Sequence, residues 1–396
     1  MMLNHSVADT AVFPDERACD IDEFRALVER TTEHEQFPLA AEIVGNFPVY
    51  DGAALREAKD DPVAVKRHKV EWHRAFSDGP GIIAIRSGYA DLRLLDEVTA
   101  ALSALIDEEE AAGTGTGDHF AAAGANSRLW NAHEKLCMRD PALFARYNAN
   151  HLLRDVSEAW LGPAYQITTQ VNVVRPGGKA QTGHRDYHMG FQPTSMLRKY
   201  PANQHALSAS LTLQGAVAHS AMPVEAGVTK LLPYSAGYLP GYIAIHLEAF
   251  QKYFKEHCVQ VPLEKGDLLF FNPATFHAAG ENRSDTVQRF ANLMQIGSGY
   301  GRSIEIVDRT RMAKAVYPAL LRLKKSNTLG EDELMTVVAA TAEGYPFPAN
   351  LDIDSPLTGM APPSQQEVMQ KALSGNWDVA RFEAEIDAQT RRKRSH

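Results

Sequence analysis

The stretch EKGDLLFFNPATFHAAGENRSDTVQRFANLMQIG, residues 264–297, decides the fold class. Residues 267–271 form a short apolar run, a turn rich in Gly and Asn follows, and a second run covers residues 289–296. Two runs joined in this way predict neighbouring antiparallel strands. Further strands are predicted from β-branched or alternating residues at 165–174, 207–214, 228–232 and 258–261. Many short strands separated by turn residues predict an antiparallel barrel or a double-sheet jelly roll.

Helices are predicted on both sides of this β core, so the expected fold class is α+β with a mainly β core. Apolar residues recur at three- and four-residue spacing in the segments 21–34, 62–77, 91–112, 309–325 and 331–343.

The predicted domain organisation has three parts. A helical extension covers residues 1–76, and the core covers 77–305 together with helices at 91–112 and 141–159. A second helical extension, 306–396, contains a Pro-rich linker at 345–363 and a last helix opened by the capping pattern of Ser364 and Glu367.

The composition excludes several classes of protein. With 44% hydrophobic residues in 396, the chain can bury a large core and is not disordered overall. Lys and Arg number 40 against 49 Asp and Glu, and the resulting net charge of -9 argues against a nucleic-acid-coating protein. Three scattered cysteines argue against a disulfide framework, and no stretch predicts a membrane span or an export signal. We expect a cytoplasmic protein without nucleic-acid or membrane partners, and a homo-oligomer is left open.

The run Gly113–Gly117, GTGTG, could suggest a phosphate cradle. It lacks the strand-to-helix setting and the Lys-Ser/Thr pair of a phosphate-binding loop. We therefore expect a flexible loop or lid.

The segment GHRDYH carries the candidate chemistry, because His184 and Asp186 are two residues apart. On a strand, such residues face the same side, so an imidazole and a carboxylate can converge on one ion. Composition alone would give about two such triplets by chance, and the second one, His246 with Glu248, lies in a predicted helix where the two side chains diverge. The alternative for His184 and Asp186 is a buried hydrogen-bonded pair.

His277 and Arg289 extend the group, because His277 follows one predicted strand and Arg289 begins the next. Two histidines and one carboxylate leave three octahedral positions open, the arrangement of non-haem Fe(II) oxygenases. A nearby Arg can bind a second carboxylate with a bidentate fork, which suits 2-oxoglutarate. Arg283 is a nearby rival for that role.

Residues 165–297 resemble the phytanoyl-CoA dioxygenase family of Fe(II)/2-oxoglutarate oxygenases. The resemblance is carried by VVRPGGKAQTGHRDYH, EAGVTKLLPYSAGY and KGDLLFFNPATFHAAGENRSDTVQR. It implies a double-stranded β-helix, a jelly roll of the cupin-like kind, with Fe(II), 2-oxoglutarate and O2 as cofactors. It also implies that His184, Asp186 and His277 ligate iron, that Arg289 holds the distal carboxylate of 2-oxoglutarate, and that Asn172 contacts this cosubstrate.

The activity implied by the resemblance is hydroxylation of an unactivated C–H bond in a small-molecule substrate, with release of succinate and CO2. Arg185, His188 and Trp130 are candidate substrate contacts. The alternative for His188 and Trp130 is a packing role. Arg185 stands where the family commonly has Gln, so its alternative is a change in the surroundings of the cosubstrate. Two other hypotheses are a cupin-like metalloenzyme that uses another metal without 2-oxoglutarate and a non-catalytic small-molecule-binding protein on the same scaffold.

Overall fold

A computed structural model describes residues 10–113, 126–356 and 359–395. Apart from Gly113, the predicted glycine loop lies outside these residues. Within them, ten strands form an eight-stranded and a two-stranded sheet: β1 Glu42–Val44, β2 Phe47–Asp51, β3 Ile82–Arg86, β4 Asn126–Leu129, β5 Gln166–Val174, β6 Thr212–Ala218, β7 Lys230–Leu232, β8 Leu268–Phe271, β9 Phe276–Ala278 and β10 Arg289–Gly297.

Helices fill much of the remaining described chain. In chain order they are α1 Ile21–Val28, α2 Gly52–Glu57, α3 Pro62–Ser77, α4 Leu92–Ala111, α5 Ala132–Arg139, α6 Pro141–Asn148, α7 His151–Leu161, α8 Thr194–Leu197, α9 Ala202–Ser210, α10 Gly241–Ala244, α11 Glu248–His257, α12 Arg309–Lys325, α13 Glu331–Thr341, α14 Gln365–Ser374 and α15 Val379–Arg392.

The large sheet has the strand order β1-β2-β3-β8-β6-β10-β5-β4, and the small sheet pairs β7 with β9. β2 and β3 are parallel, whereas β3 with β8, β6 with β8 and β7 with β9 are antiparallel. The predicted α+β class is confirmed as a mixed fold with a large, mainly antiparallel sheet and many helices.

Both sheets contribute to one apolar cluster. Leu231 of β7 belongs to it, and so do alternate residues of the large sheet: Phe47, Val49, Ile82, Ala84, Ala216, Ala218, Leu269, Phe271 and Ala291. Alternation is expected because successive side chains of a strand point to opposite faces. Each large apolar side chain buried there contributes roughly 1.5–3 kcal/mol.

The described chain divides into two compact units. The first comprises residues 10–90, 126–128 and 171–294 and holds most of the two sheets. The second comprises 91–113, 129–170, 295–356 and 359–395 and is mainly helical. In it, α12 buries Met312, Val316 and Leu320, and the Tyr317 ring stacks on Phe382 at 3.9 Å. The predicted boundaries at residues 76 and 305 differ from this division and stay a prediction.

Several predicted elements match the structure closely. The helices at 62–77 and 309–325 have these bounds, and the strands predicted at 165–174 and 289–296 differ by one residue at one end. The helix predicted to open at Ser364 is α14, and the Ser364 side chain accepts a hydrogen bond from the Glu367 amide, as the capping pattern predicts. It is not the last helix, because α15 follows it.

The strand predicted at 207–214 is wrong over most of its length. Residues 202–210 form α9, and β6 begins only at Thr212. In α9 the buried residues are His205 and Ser208, three apart as a helix requires, while Leu207 is exposed. The alternation of apolar and polar letters was therefore not a burial pattern.

Four other predicted elements need correction. Residues 42–51 of the helical extension form β1 and β2, and residues 258–261 form no strand beyond the isolated bridge of Val259 with Leu231. The helix at 21–34 ends at Val28, because the Thr32 amide and hydroxyl bond to Asn46 instead of continuing the helix. The helix at 141–159 is two helices, since Asn150 caps the start of α7.

Candidate metal centre

Two short backbone segments place the candidate ligands side by side. The amide of His184 donates to the carbonyl of His277 at 2.9 Å, and the amide of His277 donates back at 3.1 Å. This antiparallel bridge aligns the His-Arg-Asp segment with β9. The centroids of the two imidazole rings are 4.4 Å apart as a result.

The carboxylate of Asp186 completes the group. Its Oδ2 is 3.2 Å from His277 Nε2, and its Oδ1 is 3.7 Å from His184 Nε2. One ligand atom from each of the three residues lies within 4.8 Å of the others, so together they could hold a metal ion.

The hydrogen bonds of the two rings suit a metal. His184 Nδ1 lies 2.8 Å from the Thr182 carbonyl, and His277 Nδ1 lies 2.8 Å from the Thr275 carbonyl. A carbonyl only accepts, so each Nδ1 must carry the proton, and a neutral ring then has its lone pair on Nε2. Both rings therefore direct a ligating nitrogen toward Asp186, and the donor set fits a divalent cation such as Fe(II).

The electrostatics favour the protonation states that a metal needs. Burial, followed by the neighbouring His277, lowers the pKa of His184 and favours its neutral ring. Burial opposes ionisation of Asp186, but His184, His277 and Gln214 together hold the pKa of this carboxyl well below its usual range.

Gln214 and Phe271 also contact the group, and sequence reasoning missed both. Gln214 Nε2 donates to Asp186 Oδ2 at 2.8 Å, and the Phe271 ring lies 4.8 Å from that of His277. The two residues are cross-strand partners on β6 and β8. In the alternation predicted over 207–214, Gln214 is one of the polar residues on the face opposite the apolar residues. The sequence therefore gave no indication that Gln214 contacts the candidate metal centre.

The candidate cosubstrate residues lie on neighbouring strands. Arg289 opens β10, is buried, and donates through Nη1 to the Gly227 carbonyl. It shares a strand face with Ala291, a member of the apolar cluster. Asn172 is buried on β5, next to β10 in the sheet, and its Oδ1 accepts no hydrogen bond within the described chain.

Asn282 shapes the turn between β9 and β10. Its amide donates to the carbonyls of Val174 and Val287, and its oxygen accepts from Ser284. The turn thereby fixes where β10 and Arg289 begin.

The predicted substrate residue Arg185 is directed elsewhere. Its guanidinium donates to the carbonyls of Ser235 and Tyr238 and lies 5.2 Å from the Phe276 ring centroid. Phe276 and His277 are consecutive on β9, so Arg185 lies on the face opposite His277. Burial lowers the pKa of Arg185 to about 10, which leaves it charged at neutral pH.

The other two substrate candidates differ in position. His188 follows Asp186 closely and, like Tyr187, has a positive φ, 41° and 61° respectively. Such backbone is strained in residues other than glycine and clusters at functional sites. Trp130 is half-buried in a turn after β4 and belongs to the second unit, whereas the ligands belong to the first.

Among the residues described, no helix is both long and apolar enough to cross a membrane.

Comparison with known proteins gives one family and several structures. A search of curated proteins finds no match. The solved structures include the non-heme alpha ketoglutarate dependent epimerase SnoN of nogalamycin biosynthesis, 19% identical over 60% of this chain and 85% of that chain, with a TM-score of 0.42. The carbocyclase SnoK of the same biosynthesis is 19% identical over 58% and 83%, TM-score 0.41, and EvdMO1 is 15% identical over 58% and 50%, TM-score 0.40.

The family match covers the three candidate metal ligands. The model of the phytanoyl-CoA dioxygenase (PhyH) family matches residues 77–291, more than half of the 396 residues. The chain therefore belongs to the phytanoyl-CoA dioxygenase family.

Proposed function

We propose that this protein is an Fe(II)/2-oxoglutarate-dependent dioxygenase that hydroxylates an unactivated C–H bond of a small molecule and releases succinate and CO2. The observation that carries the proposal is the convergence of His184, Asp186 and His277, with the Nδ1 atom of each ring facing a backbone carbonyl. The family and this donor set together bear out the predicted cofactors, Fe(II), 2-oxoglutarate and O2.

Each residue has a task in this proposal. His184, Asp186 and His277 hold the ion, and the ionised carboxylate offsets part of its charge. Arg289 pairs with the distal carboxylate of 2-oxoglutarate, and the Asn172 amide contacts the same molecule. Fe(II), once bound with 2-oxoglutarate and O2, supplies the oxidising chemistry, and the apolar wall that includes Phe271 excludes water from it.

The scaffold in this proposal is a double-stranded β-helix of the jelly-roll, cupin-like kind. The packing of Leu231 on β7 against residues of the large sheet supports it. A small-molecule substrate, a cytoplasmic location and a homo-oligomer stay predictions.

A succinate assay tests the activity. Metal-free protein is supplied with Fe(II), 2-oxoglutarate and O2, and succinate is followed alone and with candidate metabolites. We expect slow succinate release without substrate and faster release with the right one. A protein that binds Fe(II) but neither binds nor consumes 2-oxoglutarate would be a metalloenzyme of another type, and a protein that binds no metal would be a non-catalytic binder.

Substitution of Arg289 tests the cosubstrate site. Arg289→Lys keeps the charge but loses the bidentate fork, so we expect the KM for 2-oxoglutarate to rise about 10- to 100-fold. Metal affinity should not change. The matched control is Arg283→Lys, because Arg283 is exposed and is the rival candidate. A rise in KM in the control but not in Arg289→Lys would transfer the role to Arg283.

A further inference from the structure

Gln214 contacts the carboxylate of the candidate metal centre from β6. Its Nε2 donates to Asp186 Oδ2 at 2.8 Å. An ionised carboxylate only accepts, so the nitrogen end of the amide must face it and the oxygen end must point elsewhere. That oxygen, Oε1, is buried and accepts no hydrogen bond from the residues that the structure describes.

The position of Gln214 is set by close packing. It pairs in register with Phe271, whose ring lies against His277. At the next residue, Gly215, an added Cβ would lie 2.8 Å from Met294 Cε and 2.9 Å from a Phe270 ring carbon. A side chain at residue 215 would therefore not fit, so β6 is closely packed at the residue next to Gln214.

Two of the three other residues on this face of β6 are apolar. Ala216 and Ala218 alternate with Gln214 along the strand and belong to the apolar cluster. A buried amide in such a row is unfavourable unless its polar atoms are used. Of the two polar atoms of the Gln214 amide, only Nε2 makes a hydrogen bond among the described residues, and its acceptor is Asp186.

We propose that Gln214 is a positioning residue for the metal centre, whose amide nitrogen fixes the orientation of the Asp186 carboxylate. The inference rests on the proposed function, because it assumes that His184, Asp186 and His277 hold an ion. Hydrogen bonds from residues behind a ligand orient it toward the metal, and their loss typically lowers affinity 10- to 100-fold.

The test is the dissociation constant of Mn(II) alone, followed by the electron paramagnetic resonance signal of the free ion. Gln214→Met keeps the length and approximate volume of the side chain and removes the amide. We expect Mn(II) to bind about 10- to 100-fold more weakly, while the urea midpoint of the metal-free protein stays near that of the wild type. The matched control is Gln260→Met, since Gln260 Nε2 also donates to a neighbour, the Val228 carbonyl, at 2.7 Å.

The outcomes separate this inference from the proposed function. Wild-type Mn(II) affinity in a folded Gln214→Met protein would overturn the inference alone. A wild-type protein that binds no Mn(II) would overturn the proposed function and the inference with it. If Gln214→Met does not fold, Gln214→Asn replaces it: the amide is then one methylene too short, so weaker binding supports the role and unchanged binding overturns it.

Discussion

The two faces of β9 are both buried, yet they hold different kinds of polar group. On one face His277 lies with His184 and Asp186, and its Nε2 is directed at their shared space. On the other face Phe276 lies under Arg185, whose guanidinium donates to backbone carbonyls. Among three consecutive residues, His184 and Asp186 thus belong to the candidate ligand set, whereas Arg185 between them is a structural cation. A buried charged residue next to a ligand motif in the sequence therefore need not take part in metal binding or catalysis.

The largest expected effect is on the ligand face. His184→Ala removes one ligand, so the protein should lose metal binding and succinate formation while remaining folded. At metal concentrations 100-fold above the dissociation constant, wild type should gain about 2.7 kcal/mol of stability and the variant none. Thermal melts with and without Mn(II), together with metal analysis, measure this.

The control for this variant is His246→Ala, because His246 is exposed and lies outside the candidate centre. It should keep the stabilisation by metal. Retention of one equivalent of Fe(II) by His184→Ala would contradict the ligand assignment.

On the face of β9 that carries Arg185, we expect a substitution to lower stability and to leave metal affinity nearly unchanged. Arg185→Met leaves the carbonyls of Ser235 and Tyr238 without their donor, so we expect a loss of about 2–3 kcal/mol in the free energy of unfolding. Mn(II) affinity of the folded variant should stay within a few-fold of wild type. Urea unfolding and Mn(II) titration measure the two quantities.

Arg198→Met is the matched control for Arg185. Arg198 is about half exposed and pairs with Glu16, so its loss should change stability by less than about 1 kcal/mol. If Arg185→Met instead kept its stability and lost metal affinity, Arg185 would contribute to the metal centre, and the two faces of β9 would not have separate roles.

The smallest expected effect comes from Gly241, which packs against the Arg185 guanidinium. An added Cβ at Gly241 would lie 2.1 Å from the Arg185 guanidinium carbon. Gly241→Ala should therefore cost about 1–3 kcal/mol in the wild type and less in the Arg185→Met background. A double-mutant cycle of urea unfolding measures the coupling.

Gly237→Ala is the control for the glycine substitution, because its Cβ would meet nothing closer than 3.7 Å. It should leave stability nearly unchanged. Equal losses for Gly241→Ala in both backgrounds would show that Arg185 is not what fills that space.

Local spacing made the ligand set predictable, whereas distant packing hid its supports. His184 and Asp186 were found because two-residue spacing on an extended segment dictates a common side. Gln214 was missed because its contact is with Asp186, 28 residues earlier in the chain, and the alternation over 207–214 carries no information on that pairing. The role of Arg185 depends on the carbonyls of Ser235 and Tyr238, some fifty residues away, and the sequence around Arg185 does not predict these contacts.

The β elements show the same limit. The long strands β5 and β10 were predicted nearly in full, because nine residues carry a clear pattern. β1 has three residues and β2 contains Pro48, so neither resembles a strand until both are paired.

The carbonyls of Thr182 and Thr275 have a consequence for how the protein acquires its metal. Each is two residues before the histidine that it binds, so backbone local to each ring sets the ring's orientation before any ion arrives. Small metallo-domains that fold only around their ion lack such a preformed site. Here the metal-free chain should be a stable, storable form, and loading should be fast, reversible and independent of refolding.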